Sequence, residues 1–273
     1  MSAEIIPLPA ATVALVRDGT RGPEVLMMQR NLQSAFVPGV HMFPGGALDA
    51  DDGAADLRAL CAGLSDDTAS RTLGIERGGL AYWAAAIREL FEEAGVLVAY
   101  GGSQGVIAFD TPELTERFRA HRHALNAGGR SFIEILQEEE LRLAVDQLVY
   151  FGHWITPVSA PRRYDTRFFI AAAPPAQEPL HDNREAISHL WVRPADGLDR
   201  HRREQFSMRL PTVRTLEEFS AYDSVDALMH GMRNKRNIDA NLPRIAKSGN
   251  YLVPGDPGYE EAAATEKQGL WKI

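Results

Sequence analysis

The 273-residue chain has one cysteine, Cys61, which excludes an intrachain disulfide and a cysteine cluster for zinc, so stability has to come from packing. Cys61 lies in the apolar-periodic stretch LRALCAGL and reads as a small buried side chain. No run approaches the roughly 18 consecutive apolar residues of a membrane span. The N-terminal MSAEIIPLPAATVALVRDG lacks a basic start, an apolar block and a cleavage site in succession. Positive charge is in deficit: a formal net charge of −8 argues against a nucleic-acid binder, which usually shows a basic face. Internal repeats and low-complexity tracts are also missing. These absences predict a soluble, cytoplasmic protein that binds neither nucleic acid nor membrane, and they do not exclude an anionic small molecule as partner.

What is present is ordinary globular material, 45% hydrophobic and 24% charged. Basic residues gather in RAHRHALNAGGR, PRRYDTR and DRHRRE. Such groups can hold phosphates in an acidic protein, although a solvated face is the plainer reading of each. ATVALVRDG and PEVLMMQR predict a hairpin. AADLRALCAGL has helical spacing, SDDTASRTLGIERGG predicts irregular structure, and a helix follows over about 80–94. Residues 112–144 read as helical with a break at NAGG. Strand patterns return in DQLVYFGHWITP, TRFFIAAAP and ISHLWVRP, then a helix over about 212–235 and an extended tail from 237 to 273 that packs on a domain of residues 1–236. Without regular βαβ alternation, the expected class is α+β with a mixed sheet.

Chemistry concentrates in AAIRELFEEAGVLV, residues 85–98. Ile87, Leu90, Phe91 and Ala94 recur at the spacing of one helix face, and Glu89, Glu92 and Glu93 share another. Gly95 stands where a left-handed cap ends a helix, and VLV beyond it predicts a strand. Three acids near a helix C-terminus oppose both one another and the macrodipole. A bound Mg²⁺ or Mn²⁺ would offset both penalties, because these hard ions take carboxylate oxygens. The alternative is an amphipathic helix with a solvated acidic face. His41 and His153 read as packed, hydrogen-bonded histidines, since such a site prefers oxygen ligands.

Upstream, HMFPGGALDADDG at 41–53 sets two glycines before three aspartates within four positions. Together with RELFEEAGV, Arg88 to Val96, it resembles the Nudix hydrolase signature. The helical half matches at Arg88, Glu89, Leu90, Glu92, Glu93, Gly95 and Val96. In the turn half, six positions on from Gly46, Asp52 stands where the family has Glu. Asp52 and Arg88 are 36 positions apart where the family pattern has eight, an insertion of 28 residues. An interruption at this place, with FVPGVHMFPGGALDADD, WITPVSAPRRYDTRFFIA, LWVRPADGL and NLPRIAKSGNYLVPGD, is similar to the coenzyme A diphosphatase, peroxisomal-type, branch of the family. LMMQRNLQSAFVPGVHMFPGG keeps the spacing of an upstream coenzyme A motif at Arg30, Gly39 and Phe43 to Gly46, with Asn31 and Ala35 as departures. The terminus GLWKI does not resemble the small-basic-leucine signal read by peroxisomal import.

The resemblance implies an α/β/α sandwich around a mixed sheet, with an insertion over about 53–80 and extra helices over about 112–144 that shape the pocket or a homodimer contact. It implies a metal-dependent hydrolase of a diphosphate bond, with Glu89, Glu92, Glu93 and the Gly46 carbonyl as metal ligands. Gly45, Gly46, Asp52 and Gly95 shape the turns of the signature, and Arg88 anchors the loop by pairing with Asp52 or Asp51. Glu89 is the first choice of base and Glu185 the loop-borne alternative; Arg30, Phe43, Arg162 and Arg163 are the substrate contacts. Coenzyme A or an acyl derivative is the expected substrate, giving adenosine 3′,5′-bisphosphate and 4′-phosphopantetheine or its acyl form. The alternatives are reduced NAD, ADP-ribose or a nucleotide sugar, and a module that senses a nucleotide without cleaving it.

Overall fold

A computed structural model describes residues 5–33, 38–102, 105–181 and 186–265 of the chain. Strands β1 (Leu8–Gly19) and β2 (Gly22–Arg30) form the expected hairpin, with Val16 opposite Val25 and Gly19 opposite Gly22. Next come β3 (His41–Met42), paired with β2, and β4 (Gly45–Ala47). Before meeting β2, β1 pairs with β4, Ala11 opposite Gly46 and Thr12 opposite Gly45. The glycine turn is thus clamped into the middle of the sheet.

The insertion carries α1 (Ala55–Ala59) and α2 (Asp66–Leu73) ahead of α3 (Leu80–Ala94). Helix α2 corrects the expectation of irregular structure. Its signals are local: Ser65 accepts a hydrogen bond from the Thr68 N–H, Asp66 and Asp67 fill the first turn, and Gly74 ends it with φ of 67°. Conversely, α1 is only five residues long. The inserted segment has a definite task, since the Asp66 carboxylate accepts from the N–H groups of Gly78 and Leu80, both at 3.0 Å, at the positive end of α3.

Beyond α3, residues 96–98 are not the expected strand, because the buried Gln177 side chain takes both main-chain groups of Leu97. β5 (Ala99–Gly101) begins one residue later. The helical region divides into α4 (Pro112–Asn126) and α5 (Phe132–Glu138) and stops earlier than expected. Glu140 has φ of 54°, and β6 (Leu141–Leu143) pairs with β5. β7 (Val149–Ile155), β8 (Tyr164–Ala172) and β9 (Ala186–Val192) follow the three strand patterns. After α6 (Pro194–Arg202), the single helix expected over 212–235 is two, α7 (Leu210–Phe219) and α8 (Val225–Asn234), because Ser224 caps a new start. The tail holds β10 (Ala240–Asn241), the β11 (Arg244–Ile245) and β12 (Tyr251–Leu252) pair, and α9 (Tyr259–Thr265).

The main sheet runs β10-β7-β8-β1-β2-β3, with β4 also beside β1 and β9 beside β2. It is mixed: β1 lies parallel to β8 and antiparallel to β2 and β4. Both its faces are covered, so β1 reads as a nearly continuous apolar run. Ala11, Val13 and Leu15 face the core built on α3, whereas Ala14 and Val16 face the one built on α7 and α8. The architecture is the expected α/β/α sandwich. Cys61 is buried, its thiol directed at the Leu57 carbonyl, and burial pushes its pKa up to about 12. Among the described residues no helix is long and apolar enough to cross a membrane.

Candidate active site

Ile87, Leu90 and Phe91 of α3 are fully buried, each contributing about 1.5–3 kcal/mol. That outweighs the few tenths of a kcal/mol that a like-charge pair one turn apart costs. The sheet-facing side therefore sets where α3 lies, and its acids are carried to the β1–β4 junction whatever their mutual repulsion.

Protein donors hold those acids. Arg88, 5% exposed, pairs in a bidentate fork with Asp52, both bonds at 2.9 Å, and donates to the Ala47 carbonyl at 3.1 Å. Its Nη1 also reaches Glu89 Oε1 at 2.9 Å and Glu92 Oε1 at 3.2 Å. Asp52, 1% exposed, thus closes the insertion onto α3 across the interrupted signature. Burial works against the charge on Arg88, yet the bond to Asp52 and the charges of Glu89, Asp52 and Glu92 hold its pKa above the usual value. Burial raises the Glu92 carboxyl; Arg88 opposes this, and Asp49 and Asp52 add to it. Glu93, 4% exposed, accepts the Gly45 N–H at 3.1 Å.

The helix dipole is met by a residue that the sequence did not single out. Arg122 of α4 donates Nε to the Glu92 carbonyl at 2.9 Å and Nη2 to the Glu93 carbonyl at 2.6 Å, besides Nη1 to Leu180. A cation thus satisfies the last carbonyls of α3 at its negative end. Replacing it, as in Arg122→Met, removes its bonds to both carbonyls, although Asn126 Nδ2 still donates to the Glu92 carbonyl at 3.1 Å. The expected cost is about 2–3 kcal/mol, a fall of roughly 5–10 °C in Tm by thermal melting; an unchanged Tm would remove this role.

Glu89, Glu92, Asp49, Gly45 and Gly46 line a cavity of about 460 Å³. A Cβ built on Gly46 would stand 2.5 Å from Glu89 Oε1, so a larger residue here would have to push the Glu89 carboxylate aside. The donor set is hard oxygen, carboxylates beside a main-chain wall, which fits Mg²⁺ or Mn²⁺. Among the described residues, the group of three ligand side chains closest to one another is elsewhere: His121, Glu138 and Glu139, within 4.8 Å. That group is already bound to Arg117 and Arg130 as an ion-pair network.

Arg30, Phe43 and Arg162 line the same cavity, with Thr12, Tyr164, Thr166 and Arg209. Arg163 does not. It is 4% exposed and donates to the carbonyls of Thr156 and Ile5, a correction to its reading as a substrate contact, because the buried guanidinium is engaged with main chain. Glu185 and Ala35 lie outside the described residues. His153 is packed and bonded to Asp165 and Arg167, and His41 stacks on Phe206 with ring centroids 4.0 Å apart. Arg209, which sequence reasoning missed, sits in a stretch that carries no motif.

Residues 66–218 match the family described as the NUDT19 Nudix domain. The chain is 28% identical over 279 residues to the acyl-coenzyme A diphosphatase NUDT19 of Gallus gallus, covering 87% of this chain and 73% of that one. Its identity to the Homo sapiens protein of the same name is 27% over 280 residues, at 88% and 73% coverage. The crystal structure of a Nudix hydrolase from Alicyclobacillus acidocaldarius superposes with a TM-score of 0.66 at 27% identity, covering 87% of this chain and 100% of that one.

Proposed function

Because this chain belongs to the NUDT19 Nudix family, we propose that it hydrolyses the diphosphate bond of coenzyme A or an acyl-coenzyme A. The products are then adenosine 3′,5′-bisphosphate and 4′-phosphopantetheine or its acyl form. The observation that carries the reading is one cavity with two kinds of wall. Glu89, Glu92 and Gly46 line it, and Arg30 and Arg162 line the same space. The relatives named acyl-coenzyme A diphosphatase support the choice of substrate.

A diphosphate resists hydrolysis because its negative charge repels the attacking oxygen. A bound Mg²⁺ or Mn²⁺ supplies charge neutralisation and lowers the pKa of water. Glu89, Glu92, Glu93 and the Gly46 carbonyl are the residues proposed to hold it. Glu89 is proposed as the base that accepts the proton of the attacking water. Arg88 positions Glu89 and Glu92 through its bonds to both. Arg30 and Arg162 take phosphate oxygens through charge-assisted bonds, and Phe43 and Met42 give the cavity apolar surface.

The test is incubation with Mg²⁺ or Mn²⁺ and coenzyme A, acetyl-coenzyme A, reduced NAD, ADP-ribose or nucleotide sugars, with products identified by mass spectrometry. Metal-dependent release of adenosine 3′,5′-bisphosphate is the expected result. Cleavage of another substrate alone would overturn the choice of coenzyme A, and binding without cleavage of any would favour a sensing module.

A further inference from the structure

Arg209 is held at the mouth of α7 by contacts on the residues just before it. The His41 N–H donates to the Ser207 carbonyl at 2.8 Å, His41 bridges to Met208 in parallel, and its ring stacks on Phe206. Since His41 begins the short strand that leads into Phe43 to Gly46, this clamp ties the entry of α7 to the glycine turn. Arg209, Pro211 and Thr212 consequently line the same cavity as Glu89, Glu92 and Gly46.

Arg209 Nε is buried and has no hydrogen-bond partner among the described residues. The side chain as a whole is half-buried, and this one buried N–H carries a desolvation cost that an anionic acceptor would remove. Arg209 is also the N-cap of the ten-residue α7, with extended backbone at φ −90° and ψ 159°; Pro211 in the first turn has no N–H, so the helix-end donors beside Arg209 are the N–H groups of Leu210 and Thr212. Its side chain makes no cap bond. The donor and the helix end together suit a compact, multiply charged anion rather than a single carboxylate oxygen.

We infer that Arg209 and the first turn of α7 form a specificity-determining site for a phosphomonoester on the substrate, separate from the diphosphate that is cleaved. This rests on reading the cavity as the site of a nucleoside-diphosphate derivative. It deepens that reading by assigning a residue to the part of the substrate that does not react.

The test is isothermal titration in metal-free buffer with adenosine 3′,5′-bisphosphate and with AMP, which differ by one phosphomonoester. Wild type should prefer the bisphosphate by about 10-fold or more, the scale of one charge-assisted bond. In Arg209→Gln the preference should fall to within about twofold of unity, and Arg209→Lys should be intermediate, a graded ratio that a merely structural role would not produce. Thermal melts verify that each variant is folded, and the Lys variant keeps the test decisive if the Gln variant is not. Equal affinity in wild type, binding of neither ligand, or a preference that survives in both variants overturns the inference. Coenzyme A hydrolysis without an Arg209-dependent preference would keep the proposed function and sink this inference. An Arg209-dependent preference in a protein that cleaves a different diphosphate would do the reverse.

Discussion

Glu92→Gln and Glu93→Gln each lower turnover by about 10²-fold or more and leave the fold intact. Groups that merely orient a metal ligand cost 10- to 100-fold when lost, so a ligand itself should reach at least the upper end of that range. The amide is close in size to the carboxylate, and a Gln at 93 can still accept the Gly45 N–H through its carbonyl oxygen. The measurement is kcat on the cleaved substrate beside a circular-dichroism melt. Full activity in either folded variant would remove that acid from the metal site.

Stability gives the Glu92 substitution a second, opposite signature. Burial lifts its carboxyl pKa above the ordinary value, so the folded chain holds that proton more tightly than the unfolded chain does. The resulting penalty is absent below the unfolded pKa and is complete above the raised one. At pH 7 the metal-free Glu92→Gln protein should therefore melt at or above wild type, by roughly 1–3 °C, with the gap closing as pH falls through the carboxylate range. A variant that melts well below wild type would show that the Arg88 ion pair outweighs burial.

Asp52→Ala destabilises the protein by about 3–5 kcal/mol, the cost of removing one member of a buried ion pair. That corresponds to a fall of roughly 6–20 °C in Tm. Asp52 is 1% exposed and supplies both oxygens to the Arg88 fork, and its Oδ2 also accepts the Asp49 N–H at 2.7 Å. Its loss frees both the guanidinium that Glu89 and Glu92 share and the loop that leads into the insertion. Turnover should drop as well, because Arg88 would no longer be held between the loop and the acids. A melt within about 2 °C of wild type would show that Asp66 and the α2 packing close the insertion without Asp52.

The parts legible in the sequence were those with a local period or a local cap. The α3 boundaries follow from its apolar spacing and from Gly95, and the β1–β2 hairpin from two short apolar runs with a tight turn between them. The acids of α3 and the glycine turn were legible because their chemistry is written in adjacent residues. Helix α2 carries its caps locally at Ser65 and Gly74, and these outweigh the polar, weakly periodic composition between them. Other features had no local sign. Gln177 replaces strand pairing at Leu97 from 80 positions away, Arg122 caps α3 from 30 positions away, and Arg209 joins the cavity only through the clamp at His41. Arg163 shows the converse, a cation beside Arg162 in a basic cluster that turns inward to main-chain carbonyls.

The most direct measurement is a titration of Mn²⁺ into the metal-free protein and into the Glu89→Gln, Glu92→Gln, Glu93→Gln triple variant, with free Mn²⁺ read by electron paramagnetic resonance. If the acids of α3 hold the metal, wild type takes up at least one ion per chain and the folded triple variant loses that uptake. Equal binding by both proteins would contradict the assignment and move the metal to another site.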